Sequence, residues 1–124
     1  MVGAVERALL PVSRVLVVGA GGMLGHDLIS GLDGHDVTGL TRSDLDITDE
    51  AATMAALEGF DVVINAAAFT AVDDAQENED LAFAINADGA RNLAKACRKA
   101  GAILVQVSTD YVFDGESRTP YPED

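Results

Sequence analysis

Apolar residues in this chain follow two alternating patterns. Short uninterrupted runs carry valine, isoleucine and leucine, and longer segments place apolar residues three or four apart. The runs predict strands over 14–18, 36–41, 44–47, 61–65 and 103–107. Over 15–18 and 62–64 the residues are apolar without polar alternation, which is what a strand covered on both faces shows. Between them, helical spacing predicts helices over 22–32, 49–57 and 78–100. In the first, Leu24, Leu28, Ile29 and Leu32 fall on one face, expected to lie on the sheet, and Gly31 and Gly34 end it. Thr48 is the expected N-cap of the second, with Asp49 and Glu50 near its positive end. In the third, Leu81, Ile85, Gly89 and Leu93 recur every four residues, and Gly89 predicts close approach to a neighbouring element. Lys95, Arg98 and Lys99 crowd its last turns, and Gly101 is the expected stop.

Strands alternating with helices predict an α/β, doubly wound parallel sheet of about five strands with flanking helices. Ligand sites in such sheets lie outside the carboxyl ends of the strands. The expected organisation is a flexible N-terminal arm over 1–13 followed by one domain over 14–124. The acidic stretch from Asp73 to Asp80 reads as a solvated loop and helix start.

Charge narrows the partners. A formal net charge of −13 opposes binding to a nucleic-acid backbone. Lysine occurs only at 95 and 99, and aspartate outnumbers glutamate, a balance that suits either a high-salt cytoplasm or an ordinary acidic surface. Nothing approaches the length of a membrane span or a secretory signal, so a soluble cytoplasmic chain is expected. Cys97 is the single cysteine and falls in an apolar helix repeat, which predicts a core thiol. His26 and His35 have no neighbours at metal-ligand spacing, and no metal site is expected.

The chemistry concentrates at the ends of the predicted strands. Val15-Leu16-Val17-Val18 runs into Gly19-x-x-Gly22-x-x-Gly25. A strand, a tight glycine turn and an open helix start make a seat for a pyrophosphate, because the first helical N–H groups lack intrahelical partners and the dipole favours an anion. The bland alternative is a glycine-rich turn with no ligand. Downstream stand Asn65-Ala66-Ala67-Ala68, Asn86 within Ile85-Asn86-Ala87-Asp88-Gly89, and Ser108-Thr109-Asp110-Tyr111-Val112-Phe113. In this order and spacing the chain resembles the extended short-chain dehydrogenase/reductase family, with its Rossmann-like, NAD(P)-binding fold. Leu45-Asp46-Ile47-Thr48-Asp49, Ala68-Phe69-Thr70-Ala71-Val72-Asp73 and the run through Asp114-Gly115 sharpen the likeness to family members that reduce dTDP-linked 4-keto-6-deoxy sugars.

That resemblance, which runs from about Arg14 to the end, implies a site residue by residue. Gly22, Met23 and Leu24 would meet the pyrophosphate, with Gly19 and Gly25 also in the cofactor site, and Asp46 and Ile47 would border the adenine. Ala68, Phe69 and Thr70 would line the nicotinamide side, with Ala67 also against the cofactor, and Asn86 would support the active site. Thr109 would be the catalytic hydroxyl on the substrate carbonyl, and Asp110 would help to hold the sugar. The implied reaction is NADPH-dependent reduction of dTDP-4-dehydro-6-deoxy-L-mannose in nucleotide-sugar and cell-surface polysaccharide biosynthesis, with a homodimer as the ordinary assembly. Cofactor choice also has a reading from the residues themselves. An acid ending the second strand would bond a ribose 2′-OH and favour NAD, but here the end reads Thr41-Arg42. Arg42 suits a 2′-phosphate, so NADP is expected and NAD stays open.

The family's acid, a Tyr-x-x-x-Lys pair, has no counterpart among these residues: Tyr111 is followed four places on by Gly115, and Tyr121 stands at the end. A chain that binds cofactor without completing the reaction is expected. The alternatives are a non-catalytic NAD(P)-binding module that regulates a partner, and a reductase or epimerase acting on another nucleotide sugar.

Overall fold

A computed structural model of the chain describes residues 13–123. Four strands, β1 (Arg14–Val18), β2 (Asp36–Leu40), β3 (Val62–Asn65) and β4 (Ile103–Gln106), form one sheet in the order β2-β1-β3-β4. All three pairings are parallel, with Val18 opposite both Leu40 and Asn65, and Asn65 opposite Gln106. β1 and β3 are central and largely buried, as their uninterrupted apolar runs require. Leu16, Val18 and Val63 meet Leu57, Leu93, Ala96 and Cys97 in the core. Cys97 is buried, as its place in the apolar repeat predicts, and loss of solvation pushes its thiol up to about 11.

The helices are α1 (Met23–Gly31), α2 (Glu50–Ala56), α3 (Val72–Glu77), α4 (Glu79–Phe83) and α5 (Ala90–Ala100), with a π-helical segment over Ala84–Gly89 joining the last two. α5 ends at Gly101 in the left-handed region (φ 70°), the stop its position suggests. None of the helices among the described residues is long and apolar enough to cross a membrane.

Several expectations are corrected. The sheet has four strands, because 44–47 pairs with no neighbour. Its alternation is real, with Leu45 and Ile47 buried in the core, but the intervening acids fold back on their own segment. The Asp44 carboxylate accepts from Thr41 N (2.8 Å) and Thr41 Oγ1 (2.6 Å), and Asp46 accepts from Thr48 N (2.9 Å) and Thr48 Oγ1 (2.7 Å). Such local side-chain bonds compete with a ladder and bend the chain. The cap of α2 is Asp49, which accepts from Ala52 N, and Thr48 is spent on Asp46. The long helix is interrupted at 84–89, and 72–77, expected as an acidic loop, is helical, with Asp73 and Asp74 in its first turn.

α1 lies on the sheet by part of its apolar face: Ile29 packs against Gly39 of β2, where a Cβ would stand 2.5 Å from Ile29 Cδ1, and Leu28 and Leu32 are half-buried. Leu24 is exposed, and the start of the helix is seated by backbone contact between buried Gly25 and the turn before it. Residues 1–12 of the expected N-terminal arm lie outside the described residues. Ser13 belongs to the folded unit: it is buried, its N–H donates to His35 Nδ1 (3.2 Å) and its carbonyl accepts from Asp36 N (3.0 Å).

Candidate functional site

Parallel pairing brings the carboxyl ends of all four strands to one edge, and three of the segments leaving them are held together there. Gly19 follows β1 with φ 84°, a conformation costly for any other residue. A Cβ on it would stand 2.6 Å from Ala67 N, so the glycine turn and the alanine segment after β3 touch backbone to backbone. Gly25 has the same role inside the turn, where a Cβ would lie 2.1 Å from Gly19 O. Gly22 differs. It caps α1 without any side-chain hydrogen bond, and a Cβ there would make only ordinary contact, 3.5 Å from Gly19 O. The fold therefore demands glycine at 19 and 25, while at 22 a small residue leaves the helix start open.

Behind the alanine segment, buried Asn65 accepts at Oδ1 from Ala67 N (3.0 Å) and donates through Nδ2 to Gln106 Oε1 (2.9 Å). Asn86 clasps Phe69 from both sides, accepting from its N–H (2.8 Å) and donating to its carbonyl (3.1 Å). These amide bonds fix 65–69 as a shaped wall rather than a loose connection.

The opposite wall is the stretch after β2. Its acids are turned onto Thr41 and Thr48, which holds both carboxyls below the usual carboxylate range, Asp46 with a smaller contribution from the Arg42 charge. Between the walls opens a cleft of about 290 Å³. Gly19, Gly22, Thr41, Arg42, Asp46, Ile47, Ala67, Ala68 and Phe69 line it, all of them residues singled out by sequence. Leu81 and Ile85 contribute a further apolar side that the sequence suggested only as a helix face.

The other expected site residues stand elsewhere. Met23 and Leu24 are exposed on α1 beside the cleft without lining it, Gly25 is buried beneath the turn, and Thr70 lies beyond the wall that ends at Phe69. Thr109 and Asp110 lie after β4, exposed and outside the lining. Thr109 Oγ1 accepts from Tyr111 N (3.2 Å) as the cap of a short 3-10 turn over Asp110–Val112, and its proton faces Asp110 Oδ1 at 3.4 Å. Sequence reasoning missed Asn92. Its only signal was an amide beside Leu93 on the helix face that meets the core.

Residues 13–124 match the family described as RmlD substrate binding domain. The chain belongs to that family. It is 52% identical over 118 residues to a dTDP-4-dehydrorhamnose reductase of Streptomyces griseus, covering 92% of this chain and 39% of that protein. Among solved structures, a dTDP-4-dehydrorhamnose reductase of Clostridium acetobutylicum matches with TM-score 0.84 and 46% identity over 89% of this chain and 41% of that one. A second, from Bacillus anthracis in complex with NADP, matches with TM-score 0.82 and 40% identity over 85% of this chain and 39% of that one. The chain thus spans about two fifths of the length of these relatives. The fold expected from the resemblance, a Rossmann-like α/β sheet, is that of these structures, with four strands here where five were expected.

Proposed function

We propose that this chain forms the cofactor-binding part of an NADPH-dependent reductase of dTDP-linked 4-keto-6-deoxy sugars, acting on dTDP-4-dehydro-6-deoxy-L-mannose in the cytoplasm. The observation that carries the reading is the convergence of the glycine turn, Arg42–Ile47 and Ala66–Phe69 on one cleft at the strand ends. The names of the relatives, and the NADP held by the Bacillus anthracis protein, supply the substrate and cofactor.

The residues present fit a dinucleotide phosphate. Gly22 leaves open a helix start whose N–H groups and dipole favour an anion, where a larger residue would intrude on the ligand rather than on the fold. Ala66, Ala67 and Ala68 keep the facing wall flat. β2 runs into Thr41-Arg42 rather than into a carboxylate placed for a ribose 2′-OH, and Asp44 is held on Thr41 through Oδ2, while Arg42 lines the cleft and offers a fork of donors to a 2′-phosphate. NADPH bound in this cleft would supply the hydride for ketone reduction.

Thr109 would act on the other reactant. A donor held against the ketone oxygen stabilises the negative charge that develops there. With Tyr111 N–H already on one lone pair, the Thr109 proton is directed outward, toward Asp110, where a carbonyl oxygen can replace the carboxylate as acceptor. An unperturbed alcohol is too weak an acid to complete protonation at neutral pH, and the Tyr-x-x-x-Lys pair is absent from this sequence.

Fluorescence titration tests the reading. NADPH is expected to saturate the 124-residue chain with NADH binding more weakly, and absence of NADPH binding overturns it. Mixed with NADPH and dTDP-4-dehydro-6-deoxy-L-mannose, the same chain is expected to leave absorbance at 340 nm essentially unchanged; brisk oxidation would contradict the assignment of Thr109 as a donor that needs a separate acid.

A further inference from the structure

The wall formed by 41–48 has no sheet to hold it. Its acids stiffen it only locally, and beyond the burial of Leu45 and Ile47 two side chains tie it to the helices: Thr53 of α2, whose Oγ1 reaches Ile47 O at 3.4 Å, and, at shorter range, one side chain on α5. Asn92 is buried, and its Nδ2 donates to Ile47 O (2.9 Å) and Thr48 O (3.2 Å). Both acceptors belong to residues that line the cleft. One turn earlier, Gly89 lies so close to Ile47 that a Cβ would come within 2.5 Å of Ile47 Cδ1. The same helical run reaches the opposite wall through the π-helical segment, where Asn86 clasps Phe69. A wider π turn lets one helix aim side chains that a regular α-helix would set on different faces.

We infer that Asn92 is a positioning residue for the adenine end of the cleft. It substitutes for the missing strand partner of 44–47, fixing the wall that carries Arg42 and Asp46, while Asn86 independently fixes the other wall. Without its amide, Thr48 O loses the Asn92 donor and Ile47 O keeps only the longer bond from Thr53, so the tie between α5 and this wall is lost. The inference rests on the proposed dinucleotide site, and its consequence is a split: loss of Asn92 weakens recognition of the adenine half and spares the nicotinamide half.

The experiment compares the wild-type chain with Asn92→Leu, which keeps the volume and removes both donors, and with Asn92→Ala should the leucine variant fail to fold. Dissociation constants are measured for 2′-phospho-ADP-ribose and for NMNH. The expected result is a roughly tenfold weaker 2′-phospho-ADP-ribose complex with NMNH changed less than twofold. Equal loss for both, or loss for neither, overturns the inference. Hydrogen exchange of the ligand-free chains gives a reading independent of the cofactor. Faster exchange over 44–49 with 66–70 unchanged supports the positioning role, and unchanged exchange over 44–49 overturns it. Failure of both ligands to bind the wild type sinks the cofactor assignment, and the exchange result then still decides what Asn92 holds.

Discussion

At the carboxyl edge of the sheet, the side formed by β1, β2 and β3 is closed by contacts within the chain, whereas the β4 side stands open. On the closed side Gly19 meets Ala67 backbone to backbone, Asn86 holds Phe69, Asn92 holds Ile47 and Thr48, and a cleft results. On the open side Val105 and Val107 are 46% and 41% exposed, and Thr109 is fastened only to its immediate neighbours in sequence. The proposed cofactor recognition would therefore rest on the folded backbone, set by glycines, alanines and asparagines. The proposed catalytic hydroxyl stands outside that cleft, exposed after β4. The two sides should respond differently to substitution.

The largest effect is expected at Gly25. Gly25→Ala puts a Cβ against Gly19 O and Ala20 Cα, backbone atoms that cannot yield without opening the turn. A loss of about 3 kcal/mol in urea unfolding is expected, the upper end of overpacking costs. Gly22→Val gives the contrasting result: its side chain extends over the cleft, so stability should move by under about 1 kcal/mol while NADPH affinity falls more than about tenfold. Equal destabilisation at both positions would show that all three glycines serve the fold alone.

Arg42→Ala comes next. Loss of a charge-assisted contact to the 2′-phosphate should weaken NADPH roughly tenfold to a hundredfold by fluorescence titration, with NADH unchanged. On the open side, Thr109→Ala should alter NADPH affinity less than about twofold, and stability by about 0.5 kcal/mol, as for an exposed polar site. A large loss of cofactor affinity there would join the two sides into one site.

The architecture and most of the cleft were legible in the residues because strand periodicity and the G-x-x-G-x-x-G spacing report directly on backbone geometry. Residues 44–47 show where that legibility stops. Leu45 and Ile47 are buried as alternate positions of the expected strand would be, but period alone does not reveal that Asp44 and Asp46 bond Thr41 and Thr48 instead of flanking a ladder. Asn92 was hidden for a related reason: an amide whose partners are carbonyls forty-four and forty-five residues away in sequence leaves no local pattern. Leu24 stays exposed because Gly25, in backbone contact with the turn, seats the start of α1, while further along the helix Ile29 packs against Gly39 of β2.

The smallest expected effects are in pH dependence. Hydrogen bonds from Thr41 and Thr48 depress the folded pKa of Asp44 and Asp46 below the ordinary value of 3.8. The stability they contribute is therefore present above that value and lost as pH falls through their lower folded values. Carboxyl titration followed by NMR should show both midpoints low, and Thr48→Val should return that of Asp46 toward 3.8. Cys97 runs the other way. Burial raises its thiol to about 11, so reaction with a disulfide reagent at pH 8 should be slow in the folded chain and fast after denaturation.

Hydrogen–deuterium exchange of the chain with and without saturating NADPH reads the closed and open sides in a single measurement. Slower exchange over 19–25, 41–48 and 66–69, with 105–113 unchanged, is expected from a cofactor seated in the cleft. Slowing confined to 105–113, or no change anywhere with NADPH in excess, would contradict it.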